Sequence, residues 1–81
     1  MYYFYILYSQ IDNGYYYGST SNLKKRLNEH QQGNVPSTSY RRPLNLAYYE
    51  TYTTVVSARK REKQVKNSSS IRAALHKRFD S

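Results

Sequence analysis

The second predicted helix carries one carboxylate on the face that should pack against the protein. The apolar residues of this helix are Val55, Ala58 and Val65. A spacing of three and four residues that starts at Val55 and Ala58 next reaches Glu62. A carboxylate in this position needs a cation, which either a basic side chain or a bound metal ion supplies. The pattern predicts a structural ion pair with an arginine or a metal site at Glu62.

An arginine and a histidine are spaced to lie side by side on the first predicted helix. Leu23 and Leu27 form the apolar stripe of this helix, and Arg26 and His30 lie at its border, four residues apart. Arginine suits bidentate contact with a phosphate, and histidine can orient or deprotonate a water near neutral pH. A second interpretation of His30 stays open, a half-buried residue favoured by the negative end of the helix dipole.

Tyrosine makes up eleven of the 81 residues and is concentrated in two places. The aromatic runs at residues 2–5 and 15–17 flank the turn sequence Asp12-Asn13-Gly14. Each buried phenol needs a hydrogen-bond partner or water. Two such runs beside the arginine and histidine predict a polar site built on a hairpin.

The other four acidic residues have simpler explanations than metal binding. Asp12 belongs to the turn, Glu29 is spaced to pair with Lys25, Glu50 ends a strand and Asp80 lies in the C-terminal tail. A two-metal nuclease needs several convergent carboxylates, which this chain does not offer. Any metal-dependent cleavage is therefore expected to use a single metal ion.

Length and composition exclude several classes of protein. The 81 residues predict a single domain over residues 1–81. The absence of cysteine excludes disulfides, a thiolate nucleophile and a Cys-based zinc site, and a domain without disulfides is expected in the cytoplasm. The longest apolar stretch, residues 2–8, is too short to span a bilayer and too aromatic for a signal peptide, so no membrane partner is expected.

The charge balance points to a polyanionic partner. Thirteen Lys and Arg residues against five Asp and Glu residues give a net charge of +8. The basic residues are spread over positions 24–26, 41–42, 59–63 and 72–78, which favours a folded basic surface over a disordered basic tail. Such a surface attracts polyanions over about 8 Å at physiological salt. Nucleic acid is the favoured partner, and a merely solvated basic protein is the alternative.

Apolar periodicity and turn residues predict the elements that position these side chains. Three strands are expected at about residues 2–8, 15–19 and 44–51. Three helices are expected at about 22–32, from Thr53 or Thr54 to about 66, and at about 71–79. Thr20 or Ser21 is expected to cap the first helix. In the third strand Leu44, Leu46 and Tyr48 alternate with more polar positions. The order ββα-β-αα predicts an α+β fold, a small three-stranded antiparallel sheet flanked by helices.

Taken together, the two tyrosine runs and the later helices resemble the GIY-YIG nuclease superfamily, in particular its small single-domain bacterial branch. Tyr3-Phe4-Tyr5 occupies the first motif, with Tyr5 kept and Tyr3 where the motif opens with glycine. Tyr16-Tyr17-Gly18 occupies the second motif, with Tyr16 and Gly18 kept. The helical residues of the family follow in order, and Arg26, His30 and Glu62 match them in type and spacing.

The resemblance implies a metal-dependent DNA endonuclease that hydrolyses phosphodiester bonds with one Mg²⁺ or Mn²⁺ ion held by Glu62. In such a site Arg26 stabilises charge on the phosphoryl oxygens, and Tyr16, with His30, activates or positions the attacking water. Tyr5 fixes the geometry, and Gly18 allows a close approach. The alternative is a non-catalytic nucleic-acid-binding module of the same fold.

A further set of basic and aromatic residues is expected to contact DNA: Lys24, Lys25, Tyr40, Arg41, Arg42, Arg61 and Lys66. The sequence is compatible with duplex, branched or single-stranded DNA and predicts no oligomeric state.

Overall fold

The computed structural model describes residues 1–79, so Asp80 lies outside the described residues. The elements in chain order are β1 (Tyr2–Ser9), β2 (Tyr15–Thr20), α1 (Leu23–Gln31), a short 3₁₀ helix (Ser39–Arg41), β3 (Leu44–Tyr52), α2 (Val55–Asn67) and α3 (Ser69–Phe79). This order confirms the predicted α+β fold. Within residues 1–79, no helix is long and apolar enough to cross a membrane.

The three strands form one antiparallel sheet in the order β2-β1-β3, so β1 is central and β2 is an edge strand. The four residues Phe4 to Leu7 are each no more than 1% exposed, so β1 is buried on both faces. Side chains alternate along a strand. Phe4 and Ile6 therefore lie on one face of the sheet, and Tyr5 and Leu7 lie on the other.

The sheet separates two small cores. On the face of Tyr5 and Leu7, called here the α1 face, Leu44 completes a buried cluster against Leu23 and Leu27 of α1. On the opposite face, called the α2 face, the buried residues are Phe4, Ile6, Val65 and Leu75. The aliphatic stripe predicted for α1 is therefore the contact that holds this helix against the sheet.

The predicted alternation of β3 is wrong at Tyr48. Ile6 pairs with Tyr48 and Leu7 pairs with Leu46, which leaves Ala47 as an extra residue in a β-bulge. One extra residue moves every later side chain to the other face. Tyr48 consequently packs on the α2 face, where its ring stacks on Phe79 with centroids 5.6 Å apart.

The hairpin turn and the helix ends follow the predicted chemistry with one change of residue. Asn13 adopts a φ of 57° in the β1–β2 turn. Asn22, rather than Thr20 or Ser21, caps α1, because the Asn22 side chain accepts the Lys25 amide hydrogen. The Thr20 hydroxyl instead accepts the amide hydrogen of Asn22. Thr54 caps α2 as one of the two candidates.

Candidate active site

Tyr5 is the buried centre of the candidate site. It lies on the α1 face of β1, is 1% exposed, and its Oη is 2.9 Å from Nε2 of His30. Burial raises the pKa of Tyr5 to about 12, partly opposed by a hydrogen bond from the Arg26 guanidinium. The phenol therefore stays protonated at neutral pH and acts as a hydrogen-bonding group.

Gly18 makes room for the Tyr5 phenol. The two residues are paired across β1 and β2, and a Cβ atom added at Gly18 would lie 2.5 Å from Tyr5 Oη and 2.6 Å from Tyr5 Cζ. No side chain fits at that distance. The sequence predicted a close approach at Gly18, and in the structure the approaching group is the Tyr5 side chain.

His30 lies deeper than the predicted position at the helix border. It is 0% exposed, and its Nδ1 is 2.8 Å from Oγ1 of Thr38, in the loop after α1. Burial lowers the pKa of His30 to about 4, and the nearby Arg26 charge adds to this effect. His30 does lie in the last turn of α1, but the interpretation of it as half-buried is wrong. The ring is neutral at physiological pH.

The polar groups around His30 form one consistent chain of hydrogen bonds. A protonated Tyr5 donates to Nε2 of His30, so the single ring proton belongs on Nδ1 and is donated to Thr38 Oγ1. The Thr38 hydroxyl in turn lies 3.5 Å from the Val35 carbonyl oxygen, which accepts its hydrogen. Thr38 is 0% exposed, and helix periodicity does not predict its contact with His30, because Thr38 lies in the loop beyond α1.

Tyr16 lies beside this chain and is less buried than Tyr5. Its ring meets His30 edge-on with centroids 5.2 Å apart, and its centroid lies 6.4 Å from that of Tyr5. Tyr16 and Gly18 are on the same face of β2, since they are two residues apart. The structure thus brings the two motif tyrosines and His30 into one cluster on the α1 face.

Arg26 is the charged member of the cluster. Its guanidinium hydrogen-bonds the Tyr5 phenol, which raises the pKa of Arg26, and Nη1 lies 3.2 Å from Oε1 of Glu29. The predicted Glu29–Lys25 pair is therefore replaced by a pair with Arg26. Arg26 also lines a cavity of about 420 Å³, called here the polar cavity, whose other lining residues are Ser19, Thr20, Ser21, Asn22, Lys25 and Glu29.

Glu62 approaches the same strand from the opposite face. Its side chain is 22% exposed, its Oε1 accepts a 2.6 Å hydrogen bond from Ser19 Oγ, and its Oε2 lies 2.5 Å from Lys66 Nζ. The predicted cation next to Glu62 is thus present as a lysine rather than an arginine. Ser19, which sequence reasoning missed, also lines the polar cavity. The free edge of β2 therefore carries the Tyr5–Arg26 cluster on one face and Glu62 on the other.

The donor set around Glu62 fits a magnesium-type ion. Within residues 1–79, no group of three or more His, Cys, Asp or Glu side chains is placed to hold a metal. Mg²⁺ is commonly held by one or two carboxylates, with waters and substrate phosphates completing its octahedron. One carboxylate beside the Ser19 hydroxyl and an open polar cavity matches that arrangement. Lys66 occupies one Glu62 oxygen, so a metal ion at Glu62 would compete with this lysine for the carboxylate.

The residues expected to contact DNA divide into two groups. Lys24 and Lys25 are exposed on α1, and Tyr40 is 75% exposed in the short 3₁₀ helix before β3. The remaining four, Arg41, Arg42, Arg61 and Lys66, are bonded to other groups of the protein. Lys66 forms its ion pair with Glu62. The Arg61 guanidinium forms two hydrogen bonds with the carboxylate of Glu50.

The two loop arginines are also held by neighbouring groups. Arg41 forms two hydrogen bonds with Asp12, with distances of 2.6 and 3.2 Å. Arg42 donates to the backbone carbonyls of Ser39 and Gln31. The sequence placed Asp12 in the turn and Glu50 at a strand end. It did not show that Asp12 binds Arg41 or that Glu50 binds Arg61.

Comparison with known proteins decides the family. The model of the GIY-YIG catalytic domain matches residues 1–72. This chain belongs to the GIY-YIG family. A UPF0213 protein of Lactiplantibacillus plantarum is 42% identical over 71 residues, which cover 84% of this chain and 69% of that relative. UPF0213 proteins of two Staphylococcus epidermidis strains are 39% identical over 56 residues, covering 68% of each chain.

The GIY-YIG family is a nuclease family whose members act on nucleic acid and typically use a divalent metal. The names of the UPF0213 relatives state no reaction. No solved structure gives a significant match to the chain. All five residues that the sequence proposed as catalytic lie within the matched GIY-YIG segment.

Proposed function

We propose that this GIY-YIG protein is a metal-dependent DNA endonuclease that hydrolyses phosphodiester bonds with one Mg²⁺ or Mn²⁺ ion held by Glu62. One observation carries the proposal. Tyr5, Tyr16, Arg26 and Glu62 come from four different elements and lie around the edge of β2. Arg26 lines the polar cavity there, together with Ser19, the hydrogen-bond partner of Glu62.

Arg26 is suited to grip the scissile phosphate. Its guanidinium lines the polar cavity, and its planar fork can donate two hydrogen bonds to phosphoryl oxygens. Charge on those oxygens grows as the phosphodiester reacts, so a donor held in place by Tyr5 stabilises the transition state more than the bound substrate.

Tyr16 is suited to position the attacking water. It is the less buried of the two motif phenols, and its ring is braced against His30. Because His30 is buried and neutral, we assign it to holding the tyrosines and not to taking a proton from water. Tyr5 donates to His30 and accepts from Arg26, which fixes the guanidinium relative to Tyr16.

Glu62 is the residue that would hold the metal, with Ser19 orienting one carboxylate oxygen. A bound Mg²⁺ or Mn²⁺ would supply Lewis-acid stabilisation of charge on the phosphate and its leaving oxygen. The Lys66–Glu62 ion pair favours the alternative, a non-catalytic DNA-binding module, because the carboxylate already has an internal cation. The test must therefore show whether a metal ion can displace Lys66 from Glu62.

The test compares Glu62→Gln with the wild-type protein on labelled duplex, branched and single-stranded DNA, with Mg²⁺, Mn²⁺ or EDTA. We expect metal-dependent cleavage by the wild type and none by Glu62→Gln, because glutamine keeps the shape but binds a divalent ion poorly. Asp12→Asn is the matched control, since Asp12 is another ion-paired carboxylate, at the far end of the hairpin, and its loss should leave cleavage intact. DNA binding without cleavage by the wild type in every metal would establish the binding module instead.

A further inference from the structure

A second cavity, of about 500 Å³, adjoins the polar cavity on the α1 face. Tyr3 and Tyr49 line it on the sheet side, and Leu23 and Leu27 line it on the helix side. We call it the tyrosine pocket. Its volume falls within the range of about 300–1,000 Å³ that is common for small-molecule sites.

The two tyrosines form an open aromatic wall. Tyr3 of β1 and Tyr49 of β3 have ring centroids 6.2 Å apart and planes inclined by 59°. Tyr49 is 50% exposed, so about half of this residue's surface is open to a ligand. An exposed ring above an aliphatic floor offers a flat apolar ligand one stacking surface and one packing surface.

The tyrosine pocket is continuous with the candidate active site. Ser21 and Asn22 line both the tyrosine pocket and the polar cavity that contains Arg26. Lys24 lies at the rim of the tyrosine pocket, and Lys25 lines the polar cavity. A polyanionic strand that enters the polar cavity therefore passes the mouth of an aromatic pocket within the same basic surface.

We infer that the tyrosine pocket holds one unpaired nucleobase of a DNA strand whose phosphate lies at Arg26. The inference rests on the proposed function for the position of the phosphate, and it narrows the substrate to DNA with an unpaired nucleotide beside the cleavage site. Tyrosine rings stack on bases of any identity, since every base has a π face. A base within a duplex must first leave its stack and its partner, whereas an unpaired base enters without that cost.

The experiment uses two DNA duplexes that carry the same short single-stranded flap, one with adenines in the flap and one with abasic nucleotides. Binding is measured by fluorescence anisotropy in EDTA, so that cleavage does not contribute. We expect the wild type to bind the adenine flap about 5- to 10-fold more tightly than the abasic flap. This is the lower part of the affinity gain that one stacked base gives, because Tyr49 is half exposed and covers the base incompletely. Tyr49→Ala should bind both flaps equally.

Two variants control for the ring and for the fold. Tyr49→Phe keeps the aromatic face and should keep the preference for adenine. A variant that fails to fold would be recognised because it would lose binding to every DNA. Ile11→Ala removes an exposed apolar side chain at the other end of β1 and should also keep the preference.

The outcomes separate this inference from the proposed function. A base preference that Tyr49→Ala removes supports the pocket whether or not the wild type cleaves DNA. Cleavage without a base preference overturns the pocket and leaves the endonuclease proposal standing. Self-association that Tyr49→Ala abolishes, again without a base preference, would assign the tyrosine pocket to a contact between two copies and overturn the inference.

Discussion

At the scale of single residues, the candidate site depends on which groups are charged. Tyr5 and His30 are both buried, and burial keeps both neutral at physiological pH by moving their pKa values in opposite directions, to about 12 and about 4. Arg26 and Glu62 therefore carry the charge of the site. Neutral groups that hold charged ones in fixed directions provide the preorganisation that phosphoryl chemistry requires.

The buried His30 should make the stability of the protein depend on pH. Its pKa is about 4 when folded and near its ordinary 6.5 when unfolded, so the unfolded state binds the proton first as the pH falls. The stabilising contribution of neutral His30 is therefore complete above pH 6.5 and is lost between pH 6.5 and about 4. The loss should reach about 3 kcal/mol at most. Denaturant titrations at several pH values measure it.

The comparison variant for this prediction is His30→Asn, which should flatten the pH dependence in that window. His76 is present in both proteins, so the difference between the two curves isolates His30. NMR titration of the His30 ring gives an independent measurement that needs no variant. A His30 ring that protonates near pH 6.5 in the folded protein would contradict the burial argument.

At the scale of elements, β2 is the strand on which the site depends. Because side chains alternate along a strand, Tyr16 and Gly18 meet α1 while Ser19 meets Glu62 of α2. An edge strand can present both faces to a ligand that lies over its rim, and a central strand cannot. This placement explains how Ser19, which bonds Glu62 on the α2 face, lines the same cavity as Arg26 on the α1 face.

Part of this arrangement was predictable from the sequence. Local periodicity predicted that Arg26 and His30 lie side by side on α1 and that Glu62 faces the sheet, but it placed His30 at the helix border, where the structure has a buried ring. Periodicity does not reveal contacts set by loop closure or by packing between distant elements, such as Thr38 with His30, Ser19 with Glu62 or Arg61 with Glu50. The bulge at Ala47 was equally invisible, since one extra residue leaves the composition of a strand unchanged.

Gly18→Ala should show how tightly β2 is fitted to β1. The new Cβ would meet the Tyr5 ring at 2.5–2.6 Å, and Tyr5 is buried and hydrogen-bonded, so the strands must separate or Tyr5 must leave His30. We expect a loss of about 1–3 kcal/mol in the free energy of unfolding. The matched control is Gly14→Ala, where the close contacts come from the side chains of Asp12 and Arg41 in a turn that can adjust. Equal stability losses in the two variants would contradict the prediction.

At the scale of the whole molecule, the described carboxylates are already paired and the remaining charge is positive. Each of the four carboxylates among residues 1–79 forms an ion pair with one cation. The net charge of +8 therefore comes from cations outside these pairs. Lys24 and Lys25 are exposed on α1 beside both cavities, whereas the lysine of α3, Lys77, belongs to a helix that packs on the α2 face.

This arrangement predicts which lysine carries DNA affinity and its dependence on salt. Each phosphate neutralised on duplex DNA adds about −0.9 to the slope of log K against log salt, because counterions are released. Lys25→Ala should therefore weaken binding and reduce the steepness of that slope by about 0.9 if Lys25 contacts one phosphate. Lys77→Ala changes the net charge and the helix surface in the same way and should leave the slope unchanged. Equal slopes for the two variants would mean that DNA binding depends only on the total charge of the protein. A wild-type affinity that does not change with salt would exclude a polyanionic partner.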